Sequence, residues 1–443
     1  MLTTFIRAFR TPDLRSKILF TLGMVVLFRF GASLPTPGLS EKNVMYCSGL
    51  QAETGGSSSV SVFAILNLLS GNALQHLTVF ALGIMPYITA SIIIQLLTQV
   101  IPRLEALKKE GQAGTAKMTQ YTRYLAVGLA VLQSAVYISE ARSGNLFSGT
   151  ACSATNHPLI PHPSPFTLAT MVITMVSGTA VIMWMGELIT DRGVGNGMSV
   201  LIFTTVLAVI PGELNAIYTT KGIRDAALAV VVVIAVIGFV VFMEQAQRRI
   251  PVTYAKRMTG RRVYGGGSTY IPMKVNQAGV IPVMFAGSVL TLPQLAVSYL
   301  GSTSHPQGWV TWIDRYLVST SRVYLTVFFL LIVGFTYFYV SITFNPADIA
   351  DNMKKYGGFV PGIRPGRPTE EYLRYVLTRL TAPGSVYLGI VAMLPMIALG
   401  EMGLGNLFTF SGVSLLIMVG VGLDTVKQIE SQLQQRSYGG FLR

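Results

Sequence analysis

Long apolar runs separated by polar connections dominate the chain. A helix needs about 20 apolar residues to cross a hydrocarbon core about 30 Å thick. Ten stretches approach or reach that length: 18–36, 78–98, 121–139, 166–188, 198–211, 226–243, 278–299, 322–343, 384–400 and 405–423. The fifth and ninth are short. The runs are continuous rather than alternating, which excludes the strands of a membrane barrel. Residues 1–17 are basic, but the apolar run behind them is too long for a cleavable leader and lacks a small-residue cleavage site, so it is expected to remain as the first span. Residues 60–98 are too long for one crossing. A break expected at Gly71-Asn72 leaves a short apolar segment, 60–75, ahead of the second span, tethered by Gly55-Gly56-Ser57-Ser58-Ser59. From its residues alone this segment is either a re-entrant plugging element or an interfacial helix lying on the lipid.

Charge orients the spans. Of 33 Lys and Arg, 26 lie before the first span, in segments 99–123, 190–197, 244–276 and 345–382, and in the C-terminal tail; six lie in the opposite connections and Arg29 lies inside the first span. Cytoplasmic connections are the Lys/Arg-rich ones, so both chain ends are expected in the cytoplasm with an even number of spans. The net charge of +14 follows from this placement and needs no nucleic-acid partner. Composition agrees, since 12% charged residues is about half the fraction usual in soluble domains.

Chemistry is sparse. No Gly-Lys dipeptide occurs, so there is no phosphate-binding loop of the nucleotide type. Gly193-Val194-Gly195-Asn196-Gly197 lacks a preceding strand and reads as a tight turn between spans. The four histidines, His76, His157, His162 and His305, fall outside the spans, and Cys47 and Cys152 have no CxxC or histidine partner. No enzyme, metal or cofactor is expected. Arg29 is the one clear ionisable residue read inside a span, near enough to the outer end to snorkel. A secondary transporter with inverted repeats is the competing class, but it would need charged partners at the midplane. An interior of apolar and small residues suits a passage sealed by dry packing and driven by a partner. Gly83-Ile84-Met85-Pro86 and Gly279-Val280-Ile281-Pro282 each open the second helix of a five-helix half. Five is odd, so the halves would be inverted, with 211–225 joining them on the outer face.

Four strings carry a resemblance: Leu82-Gly-Ile-Met-Pro-Tyr-Ile-Thr-Ala-Ser91, Asp191-Arg-Gly-Val-Gly-Asn-Gly197, Tyr254-Ala-Lys-Arg257 followed by Gly260-Arg-Arg-Val-Tyr264, and Phe359-Val-Pro-Gly-Ile-Arg-Pro-Gly366. In this order and spacing they closely resemble the SecY family of Sec protein-conducting channels, in its bacterial form. The resemblance implies an all-α polytopic membrane protein of ten transmembrane helices in two inverted five-helix halves around a central pore. The halves would be 1–210 and 226–423, with an external hinge 211–225 and a cytoplasmic tail 424–443. It further implies a pore ring of Ile84, Ile88, Met198, Ile202, Met284 and Ile417. The plug would include Val62, Phe63, Ile65, Leu66, Leu69, Ser70, Gly71 and Asn72. A lateral gate would include Thr89, Gln133 and Ser288. Methionine at two ring positions departs from the usual bacterial isoleucine, and external loops 37–59 and 140–165 look longer or different.

The implied function is passage of unfolded secretory polypeptides across the bacterial plasma membrane, with sideways release of apolar segments into membrane lipid. Aliphatic rings exclude water and ions by dewetting, and apolar segments partition favourably into lipid. Polar gate residues would act as latches of about 1 kcal/mol each; for Gln133, ordinary helix–helix glue is an equal alternative. The implied partners are the small membrane subunits SecE and SecG, the SecA motor ATPase, the ribosome, and signal peptides and preproteins. Arg248, Arg249, Lys256, Arg257, Arg261, Arg262, Lys355 and Arg364 would meet the cytoplasmic partners. Positive-inside charge without a partner is the alternative; the Pro361-Gly-Ile-Arg-Pro-Gly366 string favours docking. Cys47 and Cys152 both fall in external connections, where oxidation is permitted. They either pair, which requires Cα atoms within about 7 Å, or remain free thiols.

Overall fold

Among the described residues, each of the ten apolar stretches overlaps a helix. The computed structural model describes residues 9, 11–44, 46, 70, 73, 77–143, 159–161, 163–254, 257–259, 262–264, 267–300, 321–401 and 412–439. Its helices are α1 Pro12–Ser33, α2 Met85–Val100, α3 Pro102–Lys109, α4 Gln112–Ser143, α5 Pro165–Arg192, α6 Gly197–Lys221, α7 Ile223–Gln245, α8 Ile281–Leu300, α9 Arg322–Thr343, α10 Pro346–Lys355, α11 Arg367–Glu401 and α12 Gly412–Gly439. Among the described residues, seven are long and apolar enough to cross a membrane unaided; α2 with α3 makes an eighth candidate, bent by 103°. The bend has a local cause. Ile101 precedes Pro102 and is extended at φ −102°, as the residue before a proline prefers, and the α3 sequence behind it is polar.

Two expectations about helix length change. The fifth span does not stop at Pro211. The helix continues to Lys221, because a proline removes only its own amide bond and Pro211 sits on the exposed side. The connection read as 211–225 narrows to Gly222, whose φ of +92° breaks the helix before α7 starts at the next residue. The ninth span is the second part of α11, a 35-residue helix whose polar beginning is continuous with the apolar run.

The fold is mostly helical, as expected, and the basic connections add short strands. These are β1 Gln247–Tyr254, β2 Arg257–Thr259, β3 Arg262–Tyr264, β4 Ser268–Lys274 and β5 Gly358–Phe359. β1 runs antiparallel to β4 on one side and β5 on the other, with Ile250 opposite Ile271. The alternation Arg249-Ile250-Pro251-Val252-Thr253 is the period-two signal of a half-buried strand. Ile250, Val252 and Met273 pack with Val340, Met353, Val360 and Leu373 in one buried cluster.

The chain forms two compact units: Met1–Val231 with Val318–Thr320 and Met396–Arg443, and Val232–Leu317 with Ser321–Pro395. In the first, α1, α2, α4, α5, α6 and α12 pack on one another. Glycine lets them approach. A Cβ on Gly31 would lie 2.1 Å from the Phe80 ring, which stacks on Phe28 at 5.8 Å, and one on Gly178 would lie 2.0 Å from the Val79 carbonyl oxygen. In the second, α8 packs on α9, and α10 on β5.

Candidate functional site

The starts of α2 and α8 have the same construction. Gly83 and Gly279 both adopt left-handed φ, +56° and +62°, and each helix begins two residues later with proline at its second position. Backbone bonds repeat at matching offsets. The Tyr87 and Ile88 amides donate to the Ile84 carbonyl at 3.1 Å; those of Val283 and Met284 donate to the Val280 carbonyl at 3.1 and 3.3 Å. Left-handed glycine turns the chain, and proline is preset for a first helical turn where no amide donor is needed. This geometry makes Ile88 and Met284 equivalent residues, and both belong to the ring inferred by resemblance. Ile84 is buried at 3% exposure, while Ile88 and Met284 are half-buried within their own units.

Of the other residues in the inferred ring, Met198 and Ile202 lie on α6, which a glycine-rich turn introduces, and Ile417 lies on α12. Gly195 takes φ +88°, and the Asn196 side chain caps α6 by accepting from the amides of Met198 and Ser199 at 3.1 and 3.4 Å. Thr190 and Thr21 accept from the amides of Gly197 and Val194 at 2.9 and 3.1 Å. The turn is therefore structural rather than a nucleotide loop. Ile202, one turn past Met198, is buried, as is Ile417 on α12, which packs on α6. Met198 itself lies against Gly186 of α5 and joins the cluster of Ala90, Ala126 and Met183.

That packing separates two glycines. A Cβ on Gly197 would sit 1.9 Å from the Gly186 carbonyl oxygen, whereas one on Gly186 first meets the Met198 sulfur at 2.4 Å. A thioether can swing aside and a neighbouring backbone cannot. We predict that Gly197→Ala costs about 1–3 kcal/mol or more and visibly lowers the melting temperature in detergent, while Gly186→Ala leaves it nearly unchanged. Equal melting temperatures for the two variants would contradict this packing.

At the inferred gate, Thr89 donates to the Met85 carbonyl of its own helix at 3.0 Å, and Gln133 is half-buried on α4. Ser288 lies on α8, with its side chain outside the described residues. Of the plug residues, Ser70 is described and buried; Val62, Phe63, Ile65, Leu66, Leu69, Gly71 and Asn72 lie outside the described residues, as do Cys47 and Cys152.

The basic connections 244–276 and 345–382 lie in the second unit. Arg248 and Arg249 are exposed on β1, with the Arg249 guanidinium 4.9 Å from the Tyr270 ring centroid. Arg257 and Arg262 belong to the paired strands β2 and β3; Lys256 and Arg261 lie outside the described residues. Lys355 is exposed in the last turn of α10. Arg364 is the best fixed. Its carbonyl accepts from the hydroxyl of buried Thr369 at 2.9 Å, Val360 and Ile363 anchor the loop in the core cluster, and Gly362 and Gly366 turn it at φ +84° and +104°. The backbone is held and the side chain is exposed.

Sequence reasoning missed a charge pair. Arg123 of α4 donates two hydrogen bonds to the Glu187 carboxylate of α5, at 2.7 and 2.6 Å. The available signal was two opposite charges at the edges of apolar stretches, the third residue of 121–139 and the last but one of 166–188. Paired forks of this kind are specific in geometry. We predict that Arg123→Gln and Glu187→Gln each lower thermal stability, and that the double variant loses less than the sum, with a coupling of about 0.5–3 kcal/mol. Additive losses would show that the pair is not coupled.

The architecture is a helical bundle of many spans with apolar residues at its helix starts. A solved structure titled as a protein-conducting channel superimposes with a TM-score of 0.63, covering 94% of this chain and 92% of that one at 17% identity. The canine Sec61 of a ribosome–channel complex from the endoplasmic reticulum gives a TM-score of 0.60, with the same coverage and identity. The SecY family profile matches residues 78–426. The protein translocase subunit SecY of Streptomyces scabiei is 58% identical over 448 residues, covering 100% of both chains. The chain belongs to the SecY family, the channel subunits of the protein translocase. It is a multi-pass membrane transporter and not an enzyme.

Proposed function

We propose that this chain carries unfolded secretory polypeptides through a collar formed by Ile84, Ile88, Met198, Ile202, Met284 and Ile417, in the plasma membrane of a bacterium. The observation that carries the reading is the matched construction of α2 and α8, which makes Ile88 and Met284 equivalent across the two halves, 1–210 and 226–423. Inverted halves place their binding elements near the bilayer midplane. Segment 60–75 serves as the outer plug, and Thr89, Gln133 and Ser288 line the lateral exit to lipid. Because Thr89 already satisfies its hydroxyl within α2, its part in a latch is weak, and Gln133 has the better claim.

Both chain ends face the cytoplasm by the charge distribution. The exposed arginines of β1 and the fixed Arg364 then form the surface for SecA or the ribosome, the latter in keeping with the ribosome-bound canine relative of the same fold. SecE and SecG complete the membrane complex. A secretory chain stalled in transit should photo-crosslink to probes at positions 84 and 202 and not to a probe at the exposed Trp184. Crosslinking at 184 in preference to 84 and 202 would overturn the collar.

A further inference from the structure

The second unit carries a groove of about 580 Å³ in which charged heads sit among aromatic and aliphatic surface. Glu371, Arg374, Tyr375, Thr378 and Arg379 form it along one stripe of α11, with Tyr337 of α9 on the other side. Most of its charge is already spoken for. Arg374 pairs with Glu370 at 2.5 Å and Glu371 with Arg367 at 3.4 Å. Arg379 differs: its guanidinium lies over the Tyr375 ring, 5.5 Å from the centroid, and no carboxylate among the described residues pairs with it. The groove is left with one uncompensated positive charge and the two phenols of Tyr337 and Tyr375.

Depth gives this charge a meaning. Arg379 precedes Gly384, where the apolar run of α11 begins, by five residues, about 7.5 Å of helix. Tyr337 lies six residues, about 9 Å, before the end of α9. Tyrosines at this level are typical of the headgroup zone. The stripe then continues past Ala382 as Val386 and Ile390, both exposed apolar side chains at helical spacing. A free guanidinium between phenols, above an exposed aliphatic track on the same helix face, matches an amphiphile with an anionic head.

We propose that this groove binds an anionic phospholipid, its phosphodiester held by Arg379 and the phenols of Tyr337 and Tyr375, and one acyl chain lying along Val386 and Ile390. A zwitterionic headgroup fits less well, since its ammonium would meet only carboxylates already paired. The assignment of the lipid to the cytoplasmic leaflet rests on the orientation proposed above; binding itself does not.

The test uses the assembled translocase in nanodiscs of phosphatidylcholine doped with a photoactivatable phosphatidylglycerol. Crosslinks are expected on the peptide spanning 374–390. They should fall at least fivefold in Arg379→Gln, recover in Arg379→Lys, and change less than twofold in Lys354→Gln, an exposed cation of α10 outside the groove. Unchanged labelling in Arg379→Gln, equal labelling by a phosphatidylcholine probe, competition by millimolar inorganic phosphate, or crosslinks to a partner subunit in place of lipid would each overturn the proposal. Equal melting temperatures confirm that the variants are folded. Separately, a membrane-impermeant thiol reagent on Glu371→Cys reports the side. Labelling from the outer face would overturn the orientation while leaving the lipid result standing.

Discussion

Ile84→Asn combined with Ile417→Asn is expected to make the resting channel leak ions and to let preproteins with defective signal sequences through. Both side chains are buried, at 3% and 2% exposure, and both belong to the first unit. An apolar constriction blocks ions because water does not fill it; two amides at that level give water partners and remove the barrier. The competing account is that these isoleucines only pack the bundle. Burying an unpartnered amide costs about 1–3 kcal/mol by mutational measure, so that account predicts loss of folded protein instead of conductance. Ile88→Asn resolves the choice, because Ile88 is half-buried and tolerates a polar group better. Planar-bilayer recordings of purified protein should show added current for the double variant and for Ile88→Asn. Normal expression and melting temperature with no current would remove these residues from the seal.

Arg364→Glu is expected to abolish export while the protein stays folded and inserted. Thr369 and the packing of Val360 and Ile363 hold the loop through its backbone, so the guanidinium contributes nothing to that hold. Reversing its charge should leave the fold intact and turn an attraction to carboxylate or phosphate into repulsion, where a planar five-donor fork is not replaceable by other residues. Export of a secreted reporter should fall at least a hundredfold in cells whose sole copy is the variant, with unchanged membrane levels. By contrast, Thr369→Val should weaken export several-fold through loosening of the loop. Normal export by Arg364→Glu would take this residue out of the partner surface.

The helices were legible because hydropathy over a span is a sum and forgives local irregularity. Their ends were not. Pro211 read as a stop, yet a proline on the exposed side of a helix removes one amide bond and leaves the rest in place. The strands were hidden for a different reason. Among the described strand residues Ile250, Val252, Ile271 and Met273 pack into the core cluster, too few to stand out among arginines that a charge count had already explained as positive-inside loops. Family resemblance named the ring, but it took backbone geometry to relate Ile88 to Met284: the four-residue echo was visible, while the left-handed glycines that give it force were not. The environment of Met198 was not legible at all, since the spacing that stacks it with Ile202 says nothing about Gly186 across the helix pair. The Arg123–Glu187 pair went unread because each charge alone looked like the ragged end of a span.

The β1–β4 hairpin has a mechanical side. One residue, Ala246, separates α7 from β1, and the Val275 amide donates to its carbonyl at 3.0 Å, tying the foot of the hairpin shut. At the same foot Asn276 donates to the Glu244 carboxylate and to the Gly279 carbonyl, at 3.0 and 3.3 Å, next to the left-handed turn that starts α8. Seven paired positions, from Gln247–Lys274 to Thr253–Ser268, extend from that foot, about 20 Å of strand. A stiff ladder clamped at one end is a lever. A load on its tip would arrive at the foot as torque, delivered where α7 ends and α8 begins, with no slack linker to absorb it.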